Sequence, residues 1–227
     1  MTSSTCKLNE VNVGARSQLK QISDRGSRAW TDVAPVLDAG FLANVGFVDD
    51  GQPFVIPMVY ERSDQSLFLH GAAGSRLIRA LQSGAQICIS VTLVDGIVLA
   101  KSAFNHSMNY RSAVVFGRGQ AVTVARDKIA ALRIISDHLI EGRWNDVRGP
   151  NRTELGRTGV IRIEIEEASA KVRKGPPTDD PADHRIPTWT GVLPFALRLG
   201  QPVPDPHASD RVPSYLSTSE RFDACSE

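Results

Sequence analysis

Chemistry-bearing residues gather in three short stretches of this chain. His70-Gly71-Ala72-Ala73-Gly74-Ser75-Arg76 leads from a strand-like segment through small residues into a helix start. Two glycines let an anion approach the backbone, a hydroxyl can donate, and an arginine can grip two phosphate oxygens at once, so the stretch suits a phosphate ester. The same residues also make an ordinary serine-capped surface helix with a solvated arginine. Asn105 to Ser112, NHSMNYRS, is dense in donors and acceptors between apolar runs, as recognition loops are. Further on, Lys171, Arg173 and Lys174 precede Gly175-Pro176-Pro177, and Trp189 follows the proline-rich segment. The histidines, His70, His106, His138, His184 and His207, show no ligand spacing such as i, i+4, so no metal site is expected. Ser75 and Ser112 have no recognisable partner base and acid, which leaves hydrolase chemistry without support.

The elements that must position these groups are mostly strands. Residues 1 to about 30 have no sustained periodicity and read as an arm, and Thr31-Asp32 is placed to cap a short helix ending before Gly40. Phe41 to Val48 and Pro53 to Glu61 flank the turn residues Asp49 to Gln52, and Ser66 to His70 follows a second turn. Pro57 cannot donate to a ladder, which puts its strand at an edge or bulge. A helix is expected from Ser75 to Gln82, with Leu77, Ile78 and Leu81 facing inward. Val91 to Val94 and Ile97 to Ala100 flank Asp95-Gly96, a hairpin signal, and Ala113 to Phe116 is a strand stopped at Gly117. Asp127 to Ile140 has helical spacing, Val160 to Ile165 and Ala168 to Arg173 read as strands, and Trp189 to Leu199 is the last strand candidate. Many short strands with two intercalated helices imply a mainly β, antiparallel barrel over residues 31–199, with a proline-rich tail over 200–227.

Bulk composition narrows the partners. A formal charge of +1 gives no field for nucleic acid or a membrane surface, and no apolar run is long enough to span a bilayer. The polar N-terminus lacks the apolar core of a secretory signal, so a cytoplasmic location is expected. Cys6, Cys88 and Cys225 are too scattered for disulfides or zinc, and Cys88, in an apolar run, is expected to be buried.

The segments HGAAGSRLIRAL, LVDGIVLAKSAFNHSMNYRSAVVFG, ASAKVRKGPP and WTGVLPFAL resemble, in order, the pyridoxamine 5'-phosphate oxidase-related proteins of the FMN-binding split-barrel superfamily. The likeness is to the flavin-nucleotide-binding branch that includes nitroimidazole-resistance proteins. It implies a Greek-key-like split barrel, FMN as cofactor, and a homodimer with flavin sites at the subunit interface. Ser75-Arg76 falls on the step with which the family holds the FMN phosphate, although Leu77 stands where the oxidases have a lysine. With His70 and Gly71, these residues form the implied phosphate end of the site. Val55, Ile56, Pro57 and Met58 would run beside the isoalloxazine ring, without the basic residues that the oxidases carry there. Ser112 takes the place of a flavin-contacting glutamine, beside Asn109, Tyr110 and Arg111. Lys171, Arg173 and Trp189 match the segment that completes the pocket from a second subunit. His70, His106 and Arg111 are the candidate catalytic groups. The implied activity is hydride transfer through the flavin on a small organic substrate other than pyridoxamine 5'-phosphate. A haem-binding or haem-degrading role, with His70 or His106 reaching the iron, and a non-catalytic flavin carrier or sensor are the alternatives.

Overall fold

A computed structural model describes residues 14–209 and 211–216 of the 227-residue chain, which divide into two compact units. The larger takes in residues to Leu93, Arg111–Ile135 and Pro150–Val172; the smaller takes in Val94–Tyr110, Ser136–Gly149 and Arg173 onward.

In the larger unit, β1 (Gly26–Ser27), β2 (Leu42–Asp49), β3 (Gln52–Ser63), β4 (Ser66–Ala72) and β7 (Thr158–Arg173) join parts of β5 (Gln86–Leu99) and β6 (Ser107–Ala121). The order is β1-β7-β4-β3-β2-β5-β6, and a β6–β7 pairing closes the ring. Alternation builds the core. Ala43, Val45 and Phe47 of β2, Leu67 and Leu69 of β4 and Ile161 and Ile163 of β7 are all buried, because side chains two apart share one face of a pleated strand. Helix α1 (Trp30–Ala39) contributes Val33, Val36 and Leu37, and α2 (Arg76–Gln82) contributes Leu77, Ile78 and Leu81. The fully buried Tyr60 donates its hydroxyl to the Leu37 carbonyl at 2.5 Å, tying α1 to β3. Beside it, Arg62 grips both carboxylate oxygens of Asp38, at 2.5 and 2.8 Å.

The described part of the N-terminal arm lies along β7. Glu167, nearly buried, accepts from Arg16 Nε at 2.7 Å and from the Ser17 amide at 3.1 Å. The Arg16 guanidinium holds the Glu167 carboxyl below its ordinary range, and Gly26 and Ser27 pair with Lys171 and Ala170.

Several sequence expectations need correction. Asp95-Gly96 makes no hairpin, because β5 runs unbroken from Gln86 to Leu99. Gly96 instead admits a neighbour: β8 (Gly191–Pro194) pairs with Gly96–Leu99, and a Cβ at Gly96 would lie 2.7 Å from the Leu193 carbonyl oxygen. Gly117 likewise does not end β6, since a Cβ there would lie 2.3 Å from the Glu164 oxygen of β7. Asn109 to Ser112 belong to β6 rather than to a loop, and the two C-terminal runs of β7 form one strand. Only Gly191–Pro194 of the expected Trp189–Leu199 strand forms. Helix α1 starts without a side-chain cap from Thr31 or Asp32. Cys88 is exposed, because it alternates with the buried Ile87 and Ile89 and so faces outward. Cys6 and Cys225 lie outside the described residues.

Helix α3 (Ala125–Leu139) follows β6, with Ala131 and Ile135 buried. Two short helices, α4 (Arg143–Asp146) and α5 (Arg152–Arg157), have no counterpart among the sequence expectations. They are too short for a helical period to register.

Tyr60→Phe should cost about 1–3 kcal/mol, the penalty for leaving a buried carbonyl without its donor. Chemical denaturation of the two proteins measures it, with the midpoint shifting and the slope unchanged.

Candidate functional site

The site begins where β3 and β4 part. β3 pairs with β2 from Gln52 to Val59, but with β4 only from Tyr60 to Ser63. Beyond Leu69, β4 continues on β7 alone, with His70, Gly71 and Ala72 opposite Val160, Gly159 and Thr158. Among the described residues Pro53 to Val59 therefore have no second partner strand, and alternate residues turn backbone polar groups to that open edge, where a planar ligand with a polar rim can satisfy them. Phe54, Ile56 and Met58 pack toward the core, while Val55 and Pro57 face out. The expected edge position of Pro57 is what the ladder gives.

At the end of that edge, the chain turns through Ala73 and Gly74 into α2. Ser75 caps the helix, its hydroxyl oxygen accepting from the Ile78 amide at 3.3 Å. The Ala73 amide is already spent on the Arg157 carbonyl and the Ser75 amide on that of Ala72. Anion binding here is left to the Ser75 and Arg76 side chains and to the amides of the first helical turn. Arg76 is pre-positioned: its guanidinium lies 4.3 Å from the Phe54 ring centroid, and Phe54 stacks on its cross-strand partner Phe47 at 5.6 Å. Asp49 stands 3.4 Å from Arg76 Nε. Phe54 and Asp49 had no local signal in the sequence, because their roles arise only when the β2–β3 hairpin brings them to α2. Gly71 adjoins the same corner, where a Cβ in place of its hydrogen would fall 3.2 Å from Ile78 and 3.6 Å from Met58.

His70 is the other unsatisfied group. Its Nδ1 is buried with no hydrogen-bond partner among the described residues, and burial pushes the imidazole below its ordinary range, so it is neutral at pH 7. An orphaned buried nitrogen one residue before the phosphate-suited loop fits a site completed by a bound group.

The remaining candidates have contacts of their own. Ser112 donates to the Lys171 carbonyl at 3.2 Å, and Lys171 Nζ donates to Gln21 at 2.9 Å. Arg111 and Tyr110 are half-buried on β6. In the smaller unit, Arg173 and Asn109 are nearly buried and bonded to each other. Arg173 also donates to the carbonyls of Gly175 and Pro176, at 3.3 and 3.2 Å, and Asn109 to Gly175 at 3.1 Å. This pair clamps the start of the proline-rich loop. His106 has Nε2 3.2 Å from the Ala100 carbonyl. Trp189 is 63% exposed and Phe104 is 93% exposed. A separate cleft of about 590 Å³, lined by residues including Phe68, Gln120, Ala131 and Arg162, contains none of the expected site residues. No cluster of three or more metal-binding side chains occurs among the described residues, and no described helix is long and apolar enough to cross a membrane.

The larger unit is thus an antiparallel barrel split along one strand edge, with an anion-suited turn at the end of the split. Residues 30–172 match the pyridoxamine 5'-phosphate oxidase family, and the chain belongs to that family. The flavocytochrome Anf3 from Azotobacter vinelandii is 37% identical, with a TM-score of 0.82 over 88% of this chain and 93% of that one. The FAD and haem binding protein from Mycobacterium smegmatis is 32% identical, with a TM-score of 0.80 over 85% of this chain and 96% of that one. A candidate 5-nitroimidazole antibiotic resistance protein from Bacteroides thetaiotaomicron shares the fold at 23% identity, with a TM-score of 0.55 over 65% of this chain and 86% of that one. No curated protein matches the chain.

The orphaned His70 predicts a pH effect on the ligand-free protein. Its folded proton affinity lies below the unfolded value of 6.5, so below that pH the unfolded chain binds a proton that the folded one resists. Stability is thus fully present above pH 6.5 and is lost as pH falls toward the lower folded value. Replacing His70 with Asn should flatten thermal stability across that acid limb, and an unchanged slope would rule out His70 as its source.

Proposed function

We propose that the protein binds a flavin along the free β3 edge, holds a haem as well, and acts as an oxidoreductase. The observation that carries the flavin is the open Pro53–Val59 edge ending at Ser75 and Arg76. When bound, the flavin supplies two-electron chemistry, exchanged as hydride. Alternate backbone groups along Pro53–Val59 would meet the polar rim of the ring, while Ser75 and Arg76 would hold phosphate. The neutral His70 imidazole can give or take a hydrogen bond at the same end without adding charge. Exposed Trp189 awaits cover, in keeping with a homodimer in which a second copy completes each site.

Haem is supported by the extent of likeness. Proteins named as a flavocytochrome and as an FAD and haem binding protein match 85–88% of the chain, far beyond residues 30–172. The flavin we favour is FAD rather than the FMN expected from sequence. Each phosphate of a diphosphate carries one charge, whereas the monoester of FMN carries nearly two at pH 7. Arg76, already facing Asp49 and followed by Leu77, suits the former. The purified protein should be coloured by both groups, and mass spectrometry of the released cofactor should read FAD. FMN in its place would restore the sequence expectation, and no bound flavin after reconstitution would end the reading.

The substrate is expected to be an uncharged or weakly charged organic molecule. The strand facing the ring has no charged side chain between Pro53 and Met58, and a phosphate bound there without a cation or several donors is strongly disfavoured. Pyridoxamine 5'-phosphate should therefore show negligible turnover in steady-state assays. Arg76→Ala should weaken flavin nucleotide binding roughly tenfold to a hundredfold, the loss of one charge-assisted contact. Riboflavin, without a phosphate, should bind both proteins alike, and fluorescence titration of the two flavins checks the pair.

A further inference from the structure

We infer that Asp49 is the residue that sets which flavin nucleotide the site prefers, turning it toward a phosphate of one negative charge and away from the dianion of a monoester; the assignment rests on the flavin reading above.

Local geometry fixes the Asp49 carboxylate. Asp50 and Gly51, with φ of 48° and 76°, make the tight turn between β2 and β3, and Asp49 pairs with Gln52 at its base. Phe47 and Asp49 are two apart on β2 and share a face, and Phe54, paired with Phe47, lies on the same face. Arg76, the first residue of α2, meets both: its guanidinium is 4.3 Å from the Phe54 centroid and its Nε is 3.4 Å from Asp49 Oδ2. These contacts use one face and the inner edge of the group. The terminal nitrogens of Arg76 make no hydrogen bond among the described residues, so the fork that would grip phosphate oxygens is left open.

The carboxylate therefore does two separate things. It aims the guanidinium, and it offsets the charge without using up the terminal donors. Few other charges adjoin the turn: Leu77 adds none, burial keeps His70 neutral, and the next cation of the helix, Arg79, is one turn further along. A phosphate held by Arg76 thus meets a cation with an anion beside it. Repulsion from Asp49 scales with the charge of the ligand, so it weighs about twice as heavily on the nearly dianionic phosphate of FMN as on one phosphate of a diphosphate. Arg76 and Asp49 have 51% and 47% of their side chains exposed, which makes this a preference that salt weakens.

The test is titration of the flavin-free, full-length protein with FMN, FAD and riboflavin at low ionic strength, followed by fluorescence. Asp49→Asn keeps the shape and removes the charge. It should raise affinity roughly tenfold for FMN and about threefold for FAD, the two gains standing in the ratio of the ligand charges on a logarithmic scale. Riboflavin should bind the variant and the parent alike, and at about 1 M salt the gains should largely vanish. Asp50→Asn, which removes the same charge one residue away from a side chain without a contact to Arg76, should leave the FMN to FAD ratio as in the parent. Asp49→Ser should repeat the order of effects, which keeps the assignment testable if the asparagine variant folds poorly. Equal gains for FMN and FAD, a matching gain for riboflavin, or the same change of ratio in Asp50→Asn overturns the assignment and leaves the flavin reading intact. A parent that binds neither nucleotide overturns both.

Discussion

The molecule turns on one interrupted ladder. β3 and β4 pair for only four residues on each strand, beyond which β4 continues on β7 alone, and alternate residues of Pro53–Val59 turn their backbone groups to a side with no partner strand among the described residues. Unpaired edges invite either aggregation or a ligand, and Pro57 removes one donor that a competing strand would need. The interruption also makes room for α2. Leu77, Ile78 and Leu81 fill the space that a longer β4–β3 ladder would have closed, and their burial helps hold the strands apart.

From that geometry follows the electrostatics. The turn between β4 and α2 brings Arg76 over Phe54, and the Phe47–Phe54 pair beneath fixes the plane on which the guanidinium rests. A half-exposed cation over a ring contributes about 0.5–1 kcal/mol, enough to bias a rotamer without immobilising it. Asp49 screens the charge from one side. Burial keeps His70 uncharged nearby, so the corner holds one cation rather than two.

Much of the barrel could be read from the sequence because strand alternation is a short-range signal. β2, β3, β4 and α2 fall where their apolar spacing places them, and Ser75 caps α2 as its residue type implies. The failures share one cause. Asp95-Gly96 and Gly117 look like punctuation locally, yet each glycine is required by a backbone that approaches from far along the chain. Cys88 reads as core until the pleat assigns it to the outer face. Arg173 donates to the Gly175 and Pro176 carbonyls, a use that no local pattern in the sequence announces. At that corner the Ser75 cap and the edge position of Pro57 were legible, while the Asp49 and Phe54 contacts to Arg76 were not.

The smaller unit poses the opposite problem from the barrel. Its backbone is braced by polar groups: Lys101 holds the strap carrying Trp189, and Arg173 with Asn109 holds its beginning. Its large apolar side chains, including Phe104, Trp189 and Phe195, face outward. Packing those side chains inward would stabilise a monomer more simply, because burying each is worth about 1.5–3 kcal/mol. This chain instead orders an extended strap through charged and backbone contacts and leaves these aromatics exposed. Lysine suits that bracing better than an apolar anchor would, since one ammonium can satisfy two carbonyls of a segment that has no ladder of its own.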